Sequence, residues 1–276
     1  MKRLNPIPMV ALTASFALMA VSVSMGVNTP GGAMIFVDPA SFVITVLGSF
    51  CSLVTSFPFA ILLKTPRIIK SAFSEPIQSR KEIVDIFSGL SRKARTEGLL
   101  ALEEEVQNLE DEFLVRGMQM VIDGVEPENI REILEFEVYS LEKRHSYGHA
   151  IFAKWAEFAP AFGMIGTLIG LILMLTDLTN ADGIGVGMAT ALITTLYGSL
   201  FANIIFLPIG NQLQVRTEEE VFTMEMIIEG VLSIQSGINP RIVEEKLLTY
   251  VLPEDRFVEE YKKGDIYGQK TVSKKV

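Results

Sequence analysis

The sequence predicts an all-α membrane protein with four transmembrane helices and a large cytoplasmic helical region. Three observations carry this. Residues 9–27, 41–63, 158–176 and 188–209 are apolar runs without Asp, Glu, Lys, Arg or His, each about 20 residues, the length that crosses a hydrocarbon core. All 24 Lys and Arg lie at residues 1–3, at 64–154 or beyond 211, whereas the connecting stretches 28–39 and 177–187 contain none. That asymmetry assigns both termini to the cytoplasm. Outside the runs, apolar residues recur at three- and four-residue intervals and no alternating pattern persists, which is helical periodicity.

Four segments follow: an N-terminal transmembrane hairpin (1–63), a cytoplasmic helical region (64–157), a second transmembrane hairpin (158–210) and C-terminal cytoplasmic helices with a tail (211–276). Lys2 and Arg3 before the first run look like the start of a signal peptide. The run of about 19 residues is longer than a signal core, however, and no small-x-small cleavage site follows it, so a retained span is expected. Residues 28–32, Asn-Thr-Pro-Gly-Gly, are loop chemistry. Asp38-Pro39 reads as an N-cap with proline at the first helical position, opening a second span that continues to Lys64 before Pro66 bends the exit.

Residues 80–97 place Ile83, Ile86, Phe87 and Leu90 on one helix face. Gly98 interrupts, and a helix is expected to continue over 99–120. Asp123-Gly124 forms a turn, and Pro127 opens a helix that runs through Lys154 towards the third span. Pro160, early in that span, should kink it or mark where cytoplasmic and membrane segments meet. Gly163, Gly166 and Gly170 there, and Gly198 and Ala202 in the fourth, let helix backbones approach closely. After Pro208 a helix extends through Ile234. Ser236-Gly237 stops it, and Asn239-Pro240 caps the last helix. The polar, lysine-rich tail 254–276 is expected to be disordered.

The net charge of −9 argues against a nucleic-acid partner, which requires concentrated basic residues. The one cysteine, Cys51, falls in the second run and reads as a small packed side chain. His145 and His149 share a helix face, but no cysteine or HExxH arrangement accompanies them, so no metal site is expected. No phosphate-loop, nucleophile-elbow or dinucleotide motif occurs. The chain reads as a non-enzyme without a cofactor. Among polar groups in the runs, Thr167 and the pair Thr194-Thr195 fall at similar depth if the third and fourth spans form an antiparallel hairpin. Two readings stand for each: a back-bond to the helix's own i−4 carbonyl, or an oxygen lining a cation path. No run contains Asp, Glu, Lys, Arg or His, so ion transfer would need another chain's acid.

Residues 158–170, Phe-Ala-Pro-Ala-Phe-Gly-Met-Ile-Gly-Thr-Leu-Ile-Gly, resemble the third-span signature of the flagellar stator A subunits (MotA, PomA and MotP). Residues 191–198, Ala-Leu-Ile-Thr-Thr-Leu-Tyr-Gly, followed by Pro208, are similar to the fourth span of that family. Ile228-Glu229-Gly230, residues 234–237 and the stretch from Asn239-Pro240-Arg241 to Leu248 resemble its C-terminal segment. The resemblance covers at least residues 9–252. It implies a multi-pass protein of the bacterial inner membrane, in a homopentamer around a dimer of MotB/PomB-like B subunits that carry the ion-binding aspartate. Ion flow would drive the rotor switch protein FliG.

Residue by residue, the resemblance implies rotor binding by Arg95, Glu103 and Glu104, with Arg92 or Lys93 assisting. It implies conformational coupling at Pro160 and Pro208 and a polar fourth-span position at Thr195. Thr167 is the residue that sodium-type members have there, so Na+ is the expected ion and H+ the alternative. An ExbB/TolQ-like energy-transducing subunit is the second reading, and a self-sufficient channel or membrane scaffold the third.

Overall fold

The computed structural model describes residues 6–26, 32–73, 79–176, 178–179 and 181–253. Lys2, Arg3, the loop expected at 28–31 and the tail expected at 254–276 lie outside them. In chain order the helices are α1 (Pro6–Gly26), α2 (Pro39–Phe42), α3 (Gly48–Ser56), α4 (Phe59–Leu62), α5 (Thr65–Ala72), α6 (Arg80–Glu97), α7 (Glu103–Gln107), α8 (Glu112–Ile122), α9 (Pro127–Thr176), α10 (Ala181–Leu200), α11 (Leu207–Gln235) and α12 (Pro240–Leu248). No strand occurs among the described residues. By length and composition, Met34–Ser56, Pro127–Thr176 and Gly183–Gln235 are long and apolar enough to cross a membrane. The remaining expected span corresponds to α1, a 21-residue helix with a shorter apolar stretch, Ile7–Ser22.

The chain divides into two compact units, Met1–Glu75 with Lys143–Thr217 and Pro76–Glu142 with Glu218–Val276. In the first unit, Asp38 caps α2, accepting a hydrogen bond from the Ser41 N–H at 2.9 Å, with Pro39 at the first helical position. A π-helical turn, Val43–Leu47, joins α2 to α3. The second span does not continue to Lys64 as expected: α3 ends at Ser56, and Phe57 is extended (φ −131°, ψ 147°). The reason is Pro58, whose ring disfavours helical backbone in the residue before it. Pro66 lies inside the first turn of α5, where a missing N–H costs nothing.

The glycines of α9 and α10 set the spacing of the second hairpin. A Cβ on Gly163 would lie 3.0 Å from the Thr194 carbonyl oxygen, and one on Gly170 would lie 2.6 Å from both the Ala191 nitrogen and the Gly187 oxygen. A Cβ on Gly198 would meet the Ala159 oxygen at 2.7 Å. Backbone therefore touches backbone along the seam, the arrangement that small residues permit in lipid. Trp155 of α9 stacks on Phe206 with centroids 4.1 Å apart, while its Nε1 donates to Ser49 Oγ at 3.1 Å. The Tyr197 hydroxyl donates to the Phe36 carbonyl at 2.6 Å and accepts the Asp38 N–H at 3.1 Å, fastening the start of α2 to α10.

The second unit has a conventional apolar core. Its α6 starts in a capping box, with Ser79 accepting the Glu82 N–H and Glu82 accepting the Ser79 N–H. The stripe read from the sequence faces inward: Ile83, Phe87 and Leu90 are buried and Ile86 packs at the edge. Phe87 lies so close to Gly230 of α11 that a Cβ there would come within 2.7 Å of the ring. The helix expected over 99–120 is instead broken. A 3-10 turn (Leu99–Leu102), α7 and α8 follow one another, with Asp111 accepting the Phe113 and Leu114 N–H groups as a new N-cap. Apolar spacing alone did not reveal that break, because Leu102, Val106 and Leu114 still reach one core.

Two substitutions test this packing by thermal unfolding of the purified full chain in detergent. Gly170→Val should destabilise by about 2–3 kcal/mol, because the nearest atoms are backbone and cannot rotate away. Gly89→Ala, where a Cβ meets nothing within 4 Å, should stabilise by about 0.5–1 kcal/mol through lower backbone entropy in the unfolded chain. An unchanged midpoint for Gly170→Val contradicts the close seam.

Candidate functional site

Two threonines meet across the α9–α10 seam. Thr167 Oγ1 lies 2.5 Å from Thr195 Oγ1, 3.0 Å from the Ala191 carbonyl oxygen and 3.1 Å from the Gly163 carbonyl oxygen. Thr195 Oγ1 also lies 3.2 Å from the Ala191 oxygen. Each hydroxyl has one hydrogen and two lone pairs. Either Thr195 donates to Thr167, which donates to a carbonyl, or Thr167 donates to Thr195, which donates to Ala191. In both arrangements the two hydrogens point into the seam and one lone pair accepts the hydroxyl–hydroxyl bond. The others remain as acceptors, with Thr167 half-buried and Thr195 exposed on the surface of the single chain. Such oxygens are poorly matched to hydrocarbon and well matched to a cation or to a donor from another chain.

Thr194 takes a different position. It is fully buried, and its hydroxyl reaches the Thr190 and Ala191 carbonyl oxygens of its own helix at 2.9 and 3.1 Å. Its side chain fills the notch at Gly166, where a Cβ would lie 2.5 Å from Thr194 Cγ2. The structure thus brings Thr167 and Thr195 together and directs Thr194 into the helix contact.

One proline lies within α9 and the other at the start of α11. Pro160 is inside α9, which runs as one helix from Pro127 to Thr176, and without an N–H it offers no donor to the Ala156 carbonyl. Pro208 is the second residue of α11, directly after a π-helical turn, Phe201–Phe206. Neither this turn nor Val43–Leu47 was anticipated from the sequence. A proline two residues past the turn was the available signal, since widened turns and prolines both interrupt the i→i−4 ladder.

In the other unit, Gly98 (φ 90°, ψ 167°) ends α6 after Arg95, and Glu103 and Glu104 open α7. Arg95 and the two glutamates are therefore on separate helices, on either side of the interruption read at Gly98. All three are exposed, and their charged groups make no hydrogen bond or ion pair among the described residues. Their neighbours are committed. Arg92 donates to Ser88 Oγ at 2.9 Å and lies 3.9 Å from Glu244. Lys93 bridges the break to Glu105 at 3.0 Å, and that hydrogen bond holds its ammonium above the ordinary lysine range. In the first unit, His145 Nδ1 lies 3.2 Å from Thr217 Oγ1. Among the described residues no group of three or more His, Cys, Asp or Glu is arranged to hold a metal ion.

Residues 105–226 match the MotA/TolQ/ExbB proton channel family. Motility protein A of Borreliella burgdorferi is 45% identical over 86% of this chain and 91% of its own. The chemotaxis protein PomA of Vibrio alginolyticus is 32% identical over 91% of this chain and 97% of its own. Among solved structures, the flagellar MotAB stator complex from Bacillus subtilis contains a chain that is 33% identical with a TM-score of 0.82, covering 92% of this chain and 97% of that one.

If the lone pairs of Thr167 and Thr195 face outward, valine at either position costs little in folding. Thr167→Val and Thr195→Val should each lower stability by no more than about 1 kcal/mol, read from thermal unfolding in detergent. A loss of several kcal/mol would make the pair a structural clasp.

Proposed function

The chain belongs to the MotA/TolQ/ExbB proton channel family as a flagellar stator A subunit, and from that premise we propose how it couples a cation to torque. Five copies form a ring around a dimer of B subunits, in the inner membrane with both termini cytoplasmic. The B chain brings the aspartate that this chain lacks. Thr167 and Thr195 stand beside that aspartate and replace part of the water shell of Na+. Thr194 keeps α9 and α10 close enough for the two hydroxyls to act together. Pro160 and Pro208 turn ion occupancy into movement of the cytoplasmic helices. Arg95, Glu103 and Glu104 meet the rotor switch protein FliG.

One observation supports this reading most: a contiguous pair of hydroxyls whose hydrogens are directed into the α9–α10 seam, leaving lone pairs to accept, in apolar runs without Asp, Glu, Lys, Arg or His. A partly dehydrated sodium ion needs several oxygens, and a carboxylate supplies at most two. A proton needs none of these, since the B-subunit carboxylate alone would carry it. The ExbB/TolQ-like reading is not favoured, because the relatives matched over most of the chain are motility proteins.

Rotation at varied sodium tests the ion. Thr167→Val should raise the sodium concentration for half-maximal speed roughly tenfold, equivalent to about 1.4 kcal/mol of ion binding, with assembly unchanged. Wild-type rotation without sodium, driven by proton-motive force alone, overturns the sodium assignment and leaves the stator assignment standing.

The charged edge is tested separately. Arg95→Glu and Glu103→Lys should reduce torque while leaving membrane assembly intact, and a complementary reversal on the rotor should recover part of it. Normal swimming by both single variants removes this edge from torque generation.

A further inference from the structure

The segment between the second span and α6 has a charge pattern that ion coupling does not use. No acidic residue occurs from Pro39 to Ser74, yet Lys64, Arg67 and Lys70 fall within seven residues. The structure places them on and beside α5, which follows α4 and the helix break at Phe57-Pro58. One side of α5 is occupied. Ile68 and Ile69 pack against the cluster of Phe152, Ala156 and Phe206, and Ile68 Cγ2 would lie 3.1 Å from a Cβ on Gly148 of α9. The other side is open, with Lys64, Arg67 and Lys70 all exposed. The charged groups of Lys64 and Arg67 have no partner among the described residues.

Phe59 and Leu63 continue this open side. They are exposed at 60% and 67%, and with Arg67 they fall at four-residue intervals. Two large apolar groups followed by exposed cations fit a surface that is hydrocarbon at one level and anionic at the next.

We propose that α4, the turn after it and α5 form an anionic-phospholipid site at the cytoplasmic leaflet. Phe59 and Leu63 lie against acyl chains, and Lys64, Arg67 and Lys70 hold the phosphodiester headgroups. The proposal rests on the reading of Met34–Ser56 as a membrane span. Helix breaking at Pro58 gives the site its form, because a span continuing straight to Lys64 would carry the cations away from the bilayer instead of laying them along it. A basic residue at an anionic surface contributes roughly a fivefold preference.

Spin-labelled lipids test the site. The full chain is reconstituted in phosphatidylcholine bilayers, and the motionally restricted fraction is compared for labelled phosphatidylglycerol and phosphatidylcholine. The expected result is a phosphatidylglycerol preference of roughly fivefold or more at low salt that falls towards parity at about 0.5 M NaCl. Lys64→Gln/Arg67→Gln/Lys70→Gln should abolish most of it, while Lys64→Arg/Lys70→Arg retains it. Lys143→Gln, the removal of an exposed lysine of α9, should leave it nearly unchanged. Restricted phosphatidylcholine marks insertion. Equal insertion with no headgroup preference in the wild type, or with the same preference in the triple-glutamine variant, overturns the lipid site alone and frees the face for an acidic protein surface. An equal loss in Lys143→Gln overturns it in favour of diffuse surface charge. Absence of restricted lipid of either kind overturns the membrane reading together with it.

Discussion

The close approach of α9 and α10 is the constraint on which the candidate ion path depends. Glycine at 163, 170 and 198 brings backbone against backbone, with built Cβ positions 2.6–3.0 Å from main-chain atoms of the facing helix. Only at that separation do the hydroxyls of Thr167 and Thr195 reach each other. Hydrocarbon supplies no hydrophobic drive between helices, so such a seam is held by dispersion contacts and shape. Thr194 completes the shape by occupying the notch at Gly166, and its hydroxyl returns to its own helix.

Much of this was legible in the residues, and the reasons differ by feature. Length and charge asymmetry reported the apolar helices, because a bilayer imposes both. The caps at Asp38 and Asn239 were legible because a short polar side chain before proline has few other uses. The helix from Pro127 towards the third apolar run followed from its helical spacing, whereas its passage through Pro160 to Thr176 as one helix did not, since a break in regularity was expected at that proline. Depth along the hairpin correctly put Thr167 near the Thr194-Thr195 pair. It did not distinguish the two members of that pair, since consecutive helical residues point about 100° apart and the facing direction is decided by packing against Gly166.

Other features were hidden for identifiable reasons. Residues 59–63 are as apolar as a span, so hydropathy masked the break that Pro58 imposes on Phe57. The π-helical turns have no composition of their own. The capping box at Ser79 and Glu82 and the cap at Asp111 carried signals in plain view, a serine three residues before a glutamate and an aspartate before an apolar turn. Apolar periodicity outweighed the second of these, and a single helix was expected where three short ones form.

The same charge distribution organises the functional account. Basic and acidic side chains are paired where they hold the second unit together, as with Lys93 and Glu105, and unpaired where a partner is expected, as with Arg95. Inside the apolar runs there is no Asp, Glu, Lys, Arg or His, so the proposed path takes its acid from a second chain. Ion flux into liposomes tests that most directly. The purified chain alone should pass little current, and co-reconstitution with its B partner, freed of any plugging segment, should produce cation flux that fails when the partner's intramembrane aspartate is replaced by asparagine. Robust, selective cation flux through the chain alone would contradict the account.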